Sequence, residues 1–313
     1  MTAGPRETHR SQHAKVFAAH SRCLAAHVIA GGSFMPSLKC GFLNTQHLTD
    51  LTNKKAAISQ LWAGKHWTFL SLCEAMNSAS ETERRDIPEF GRETMRVDLQ
   101  EFRSFQVAAA LAHNEFKDAL AIQMYNSYQD ARYVTHEADQ QLQYALVTSP
   151  EAPLEADLDP GLLGAKATAS MRCPLHLTID VGDPLHVFVW HPPSGNHDFA
   201  RMLQVEVLTQ IAARLGKKPW ALVGDLNCSP TELMGNDCHR TNARYPICGQ
   251  GTPHTFVTPY GSVHCPGVAT RRTGTLDFAV SSFPGAIARP VMDLEVAESF
   301  GFDHLPIELE LPF

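Results

Sequence analysis

Trp220-Ala221-Leu222-Val223-Gly224-Asp225-Leu226-Asn227 is a short apolar run that stops on a glycine and then presents a carboxylate and an amide. A run this brief, bounded by Gly, reads as a buried strand rather than a helix. The same punctuation recurs outward in both directions. Residues 38–43 end at Asn44, residues 68–73 at Glu74, and residues 185–190 at His191. Toward the C-terminus, Asp277 stands at the head of the run 276–280, and Asp303-His304 precede the run 307–311. Singly, a strand-end Asn or Asp makes a turn by bonding its own backbone. As a set, they place amide, carboxylate and imidazole groups at the ends of six apolar runs, and in a sheet sandwich such ends converge on one rim.

The intervening segments set the class. Residues 49–62 place Leu51, Ala57, Ile58, Leu61 and Trp62 near one helical face, after a possible cap at Thr49. Residues 199–215 repeat apolar side chains at helical spacing, through Met202, Leu203, Val205, Leu208, Ile211, Ala212 and Leu215, and Gly216 supplies the stop. The runs 175–180 and 185–190, joined by Val181-Gly182-Asp183-Pro184, read as a hairpin. Residues 77–104 are polar, 152–165 are rich in Pro, Gly and acid, and both read as surface excursions; a further loop spans 228–275. The apolar runs 105–111 and 119–125 fit helix or strand alike. Short strands alternating with amphipathic helices make an α/β protein.

Composition bounds the possibilities. The chain has 313 residues, enough for one large domain, and no apolar run long enough to span a membrane as a helix. Its net charge of -7 argues against a polyanionic partner. The charge is uneven, however: residues 75–160 hold 7 basic against 16 acidic side chains, so the remainder, which carries the strand-end residues, is weakly positive. Eight cysteines without a C-x-x-C pair are expected to be mostly reduced thiols. Cys238 to Cys265, with His239, His254 and His264, lack the close ligand pairs of a zinc site and read as a Cys- and His-containing loop. Residues 1–36 are expected to form a disordered or targeting leader: the first 34 hold Arg6, Arg10, Lys15 and Arg22 against Glu7, which leaves organelle import open for a chain expected inside the cell.

Taken together, Phe42-Leu43-Asn44, Leu72-Cys73-Glu74, Gly224-Asp225-Leu226-Asn227, Thr275-Leu276-Asp277-Phe278 and Phe302-Asp303-His304-Leu305-Pro306 resemble, in order and separation, the motifs of the endonuclease/exonuclease/phosphatase family. Cys73 stands where Gln is usual and Phe302 where Ser is usual. Trp190-His191-Pro192-Pro193-Ser194 replaces an Asp-x-Asn pair, which is closer to the deoxyribonuclease I-like branch. The resemblance covers residues 37–313 and implies a four-layer α/β sandwich, two mainly antiparallel sheets face to face with helices outside.

The resemblance also implies a chemistry. A phosphodiester hydrolase must neutralise charge, orient a water and protonate a leaving oxygen. Mg²⁺, with Mn²⁺ as substitute, would be held by Glu74 with Asn44 and Asp303 in or near its shell. Asp277 would pair with His304, Asp225 would orient water or hold a second metal, Asn227 would donate to a phosphate oxygen, and His191 would act opposite as general acid or phosphate donor. Arg271 and Arg272 are the candidate phosphate contacts, with Tyr125 in the middle segment. The expected protein is a monomeric Mg²⁺-dependent DNA endonuclease. A phosphatase or phosphodiesterase acting on inositol phosphates or phospholipid headgroups, and a non-catalytic binding module on the same fold, are the alternatives.

Overall fold

The computed structural model describes residues 37–46, 51–74, 121–126, 143–148, 154–166, 172–193, 197–234, 251–272 and 274–312. In chain order these contain β1 (Ser37–Asn44), α1 (Leu51–Lys65), β2 (Phe69–Cys73), β3 (Ala121–Asn126), β4 (Gln143–Thr148), β5 (Leu154–Leu158), β6 (Leu175–Ile179) and β7 (Leu185–Val189). There follow α2 (His197–Leu215), β8 (Trp220–Asp225), β9 (His254–Thr258), β10 (Gly261–Cys265), β11 (Asp277–Ser281), β12 (Ile287–Pro290), α3 (Leu294–Ser299) and β13 (Ile307–Pro312). One sheet has the order β12-β13-β1-β2-β4-β3 and the other β5-β6-β7-β8-β11-β10-β9.

All pairings are antiparallel except β1 with β2 and β7 with β8. A parallel pair cannot be closed by a tight turn and needs a crossover, which α1 and α2 provide. This decides where the polar strand ends go. Parallel neighbours finish at the same edge, so Asn44 emerges beside Cys73-Glu74, and His191 emerges beside Asp225. Strand β11 runs antiparallel to β8 and begins at the register pair Asp277 and Asp225. Strand β13 runs antiparallel to β1, and its first residue, Ile307, pairs with Phe42.

The apolar side chains form three layers of core. Between the sheets lie Leu38, Cys40 and Phe42 of β1, every second residue as a pleated strand requires, packed with Leu175, Val187, Val189, Ala221, Val223 and Leu309. Leu43 and Leu72 point the other way, under Ile58 and Leu61 of α1 and Ala297 of α3. On the outer face of the second sheet, Phe188, Leu222 and Phe278 meet Leu203, Val207 and Ile211 of α2. The result is helix, sheet, sheet, helix: the four-layer sandwich expected from the motifs.

Several expectations change. Residues 152–165 are no mere excursion: β5 forms an edge of the second sheet, and the 3₁₀ segment Pro160–Lys166 buries Leu162 and Leu163 in the α2 core. Inside the expected loop 228–275, β9 and β10 form a hairpin that extends that sheet. Of the run 119–125, the described residues 121–125 lie in strand β3. Residues 77–104, the run 105–111 and the leader 1–36 lie outside the described residues.

Candidate active site

Gly224 explains why the two sheet ends meet so closely. A Cβ on Gly224 would lie 1.8 Å from the Trp190 carbonyl oxygen, so only glycine lets β8 approach the exit of β7. The Trp190 N–H donates to the Val223 carbonyl at 3.1 Å; His191 follows Trp190 directly, and Asp225 follows Gly224. His191 Nε2 lies 3.5 Å from Asp225 Oδ2, and His191 Nδ1 lies 3.6 Å from Glu74 Oε1.

Asp225 is held from both sides. Its Oδ2 accepts the Asn44 side-chain amide at 2.9 Å, and its Oδ1 accepts the Asn227 backbone N–H at 3.1 Å. Asn227 takes the left-handed conformation, φ 52°, and donates from Nδ2 to the Pro192 carbonyl at 2.9 Å. Asn tolerates that backbone region better than most residues. Glu74 also has a positive φ, 51°, which is unusual for its type. The Thr45 hydroxyl donates to the Glu74 and Cys73 carbonyls at 2.7 and 3.1 Å and holds the turn in place.

The second carboxylate pair is Asp277 with His304. His304 Nδ1 is 2.8 Å from Asp277 Oδ2, its Nε2 is 3.6 Å from Asp225 Oδ2, and both residues are buried. The start of β11 is clamped by the Thr270 hydroxyl, which accepts the N–H groups of Leu276 and Asp277 at 2.9 and 3.0 Å. Thr270 also accepts the Leu305 N–H on its carbonyl at 2.8 Å, tying His304 to the same turn.

Burial and neighbouring charge push the two imidazoles apart. Burial lowers His304, but Asp277 and Asp225 more than reverse this, and its ring holds a proton well above the usual range. Burial and the Arg172 guanidinium drive His191 down to about 3, so it is neutral. Asp225 is held low: burial opposes its charge, and His304, His191 and Asn44 outweigh it. Burial and the Asp225 charge raise Glu74 to about 7. Opposed shifts in two adjacent titratable groups are the usual basis for a proton donor and a proton acceptor.

The oxygen-rich donor set fits a hard divalent cation. Ligand atoms of Asp225, Asp277 and His304 lie within 4.8 Å of one another. Asp303 Oδ1 is buried and makes no hydrogen bond, 3.9 Å from His304 Nε2, while its Oδ2 pairs with Arg271 at 2.9 Å. For Glu74, burial and the Asp225 charge outweigh the favourable charges of Arg172 and His304. Asn44, assigned to the metal shell on sequence, is already engaged by Asp225 and by the Gln46 N–H.

The phosphate candidates fare differently. Arg271 reaches the site through Asp303, whereas Arg272 pairs with Glu298 of α3 on an exposed surface. Tyr125 lies on β3 opposite Tyr144, and its side chain is outside the described residues. The cation that sequence reasoning missed is Arg172. It is buried, and its Nη1 lies 3.2 Å from both ring nitrogens of His191 and 2.9 Å from the Pro192 carbonyl. Equal approach to both nitrogens puts that atom over the ring face, because in the ring plane it would collide with Cε1. Trp190 Nε1 donates to the Arg172 carbonyl at 3.0 Å. Tyr144 of β4 donates its hydroxyl to the Cys173 carbonyl at 3.1 Å and accepts the His191 N–H at 3.3 Å. The only sequence signal for Arg172 was a basic residue three positions ahead of a strand.

Of the Cys- and His-containing segment, Cys238, His239 and Cys248 lie outside the described residues. His264 spends its ring nitrogens on the hydroxyls of Thr255 and Ser281, at 3.0 and 2.8 Å.

No protein-family model and no curated protein matches the sequence. Solved structures are similar in fold. A functionally unknown conserved protein from Enterococcus faecalis V583 is 12% identical, with 88% of this chain and 100% of that one covered and a TM-score of 0.50. The endonuclease/exonuclease/phosphatase from Bacteroides vulgatus is 12% identical, with 89% and 99% covered and a TM-score of 0.49. CdtB, the biologically active subunit of cytolethal distending toxin, is 16% identical, with 89% and 99% covered and a TM-score of 0.45. At identities this low the likeness is one of fold alone. With two facing sheets, outer helices and the motif-bearing strand ends gathered on one rim, the chain has the four-layer, deoxyribonuclease I-like sandwich fold.

Proposed function

We propose that residues 37–313 form a divalent-metal-dependent phosphodiester hydrolase, and that its substrate is DNA. The observation that supports this reading most is the pair of imidazoles, His191 neutral and His304 protonated, placed on either side of the oriented carboxylate Asp225. Glu74 and Asp303 would hold Mg²⁺ or Mn²⁺, with Asp225 beside them. Bound there, such an ion supplies charge neutralisation for the phosphate oxygens.

The chain's own groups divide the remaining work. Asn44 and the Asn227 N–H fix Asp225, so the carboxylate keeps one orientation toward both rings. Asp277 fixes the His304 tautomer by taking the Nδ1 proton in a hydrogen bond, which leaves Nε2 directed into the site. His191 offers a lone pair and His304 a proton, the two functions that activating a water and protonating a leaving alkoxide require. Arg172 adds fixed positive charge behind His191, where a phosphate would be drawn.

The test is nicking of supercoiled plasmid by the purified chain with Mg²⁺, and its loss on chelation. Asp225→Ala and His304→Ala should each abolish nicking; activity that survives in both variants excludes this site. The acidic charge of residues 75–160 favours a second reading, a smaller phosphoester such as an inositol phosphate or a phospholipid headgroup. Turnover of these compounds but not of DNA in a substrate panel selects it.

A further inference from the structure

Phe302 stands where the family motif has Ser, and nothing in the proton chemistry uses it. It is fully buried, and the ring centroid lies 5.6 Å from Lys54 Nζ. Lys54, in the first turns of α1, is itself only 4% exposed, uncommon for a lysine. Its ammonium donates to the Thr45 carbonyl at 2.8 Å and to the Gln46 carbonyl at 3.0 Å. Its stem passes Gly301, where a Cβ would meet Lys54 Cε at 3.3 Å and where φ is +90°.

Two loops of the site therefore meet on one cation, and a third, bearing Glu74, is tied to them through Thr45. Thr45 follows Asn44, and its hydroxyl holds the Glu74 carbonyl. Gln46 donates its N–H to Asn44 Oδ1 at 2.9 Å. Phe302 immediately precedes Asp303-His304. A buried ammonium is costly unless carbonyls and an aromatic face replace its water, and here both come from segments that carry site residues. We infer that Lys54 is a positioning residue, which with Phe302 sets the relative placement of the loops bearing Asn44, Glu74 and Asp303-His304.

This rests on the proposed hydrolase, and the experiment separates the two. In the full chain, Lys54→Met removes the ammonium and keeps an unbranched stem; Lys54→Gln, which retains a donor, serves if the first variant does not fold. With Mg²⁺ and bis(4-nitrophenyl) phosphate, kcat should fall on the order of 100-fold while KM stays within about threefold, as misplacement rather than lost binding requires. Phe302→Leu should lose roughly tenfold, and the double variant should be no worse than Lys54→Met, because both act through one arrangement. Without metal, the His304 Nδ1 proton resonance should shift in Lys54→Met and stay in place in Ile211→Val, a core change under α2. A folded Lys54 variant with unchanged kcat and an unshifted His304 resonance overturns the inference. If the wild-type chain turns over no phosphodiester, the hydrolase reading fails, and the resonance alone still decides the role of Lys54.

Discussion

Replacing Gly224 by Ala tests the architecture of the site without touching a reacting group. The added Cβ would stand 1.8 Å from the Trp190 oxygen, where real Cβ contacts stay beyond 3.0 Å, so the β7 and β8 exits must part by at least about 1.2 Å. That separation breaks the 3.1 Å bond from Trp190 N–H to the Val223 carbonyl, worth about 1 kcal/mol. Overpacking adds roughly 1–3 kcal/mol. A total near 3 kcal/mol lowers Tm by about 5 °C for a domain of this size. The same movement carries His191 away from Asp225, now 3.5 Å apart, and a displacement of about 1 Å can cost on the order of 100-fold in rate. Differential scanning calorimetry and plasmid nicking read the two effects separately. A Gly224→Ala protein with wild-type Tm and nicking within about threefold of wild type would refute the account of this glycine.

Further outcomes follow from the buried polar groups. Asp277→Asn removes the charge opposite His304 at 2.8 Å; nicking should fall by at least about 100-fold, and ¹⁵N shifts of the His304 ring should report a lower pKa than in the wild type, while unchanged shifts count against the pair. His264 is neutral in its buried chain of hydroxyls, lowered by burial from 6.5 to about 4. The unfolded chain takes up this proton first, so stability is lost as pH falls from about 6.5 to about 4, by up to about 3 kcal/mol; urea melts of wild type and His264→Asn across that range should differ in slope with pH, and parallel curves count against it. Deleting residues 1–36 should leave plasmid nicking within about threefold, and a larger loss would place a needed residue in the leader.

The sequence disclosed the parts of the site that follow from local rules. A strand end is marked by the residue that stops it, so Asn44, Glu74, His191, Asp225, Asp277 and Asp303-His304 could each be found beside an apolar run, and the two crossover helices fix which ends coincide. What stayed hidden depends on contacts made far along the chain. Arg172 acquires meaning only from Trp190, which holds its backbone carbonyl, and from His191, whose ring faces its buried guanidinium. Lys54 looks like one more polar residue on an amphipathic helix until Phe302 and the Thr45 carbonyl surround it. The β9 and β10 hairpin was obscured because its polar, Cys- and His-containing surroundings read as a loop, whereas the structure pairs the two strands and seats the His264 ring on Thr255 and Ser281. Strand β5 was masked by its Pro- and acid-rich surroundings, although Leu154, Ala156 and Leu158 are the partly buried residues of an edge strand.

The Tyr144 hydroxyl has a mechanical meaning. It belongs to the sheet that carries Asn44, Glu74 and His304, yet both its hydrogen bonds end on the backbone of the other sheet, which carries His191, Asp225 and Asp277. The proposed site is thus shared across the plane between two stacked sheets, and the Tyr144 phenol is one of the ties that cross it, beside the Asn44–Asp225 and His304–Asp277 pairs. Heating should loosen that plane before either sheet melts, so turnover would decline while the strands are still intact, and Tyr144→Phe would bring the decline to lower temperature.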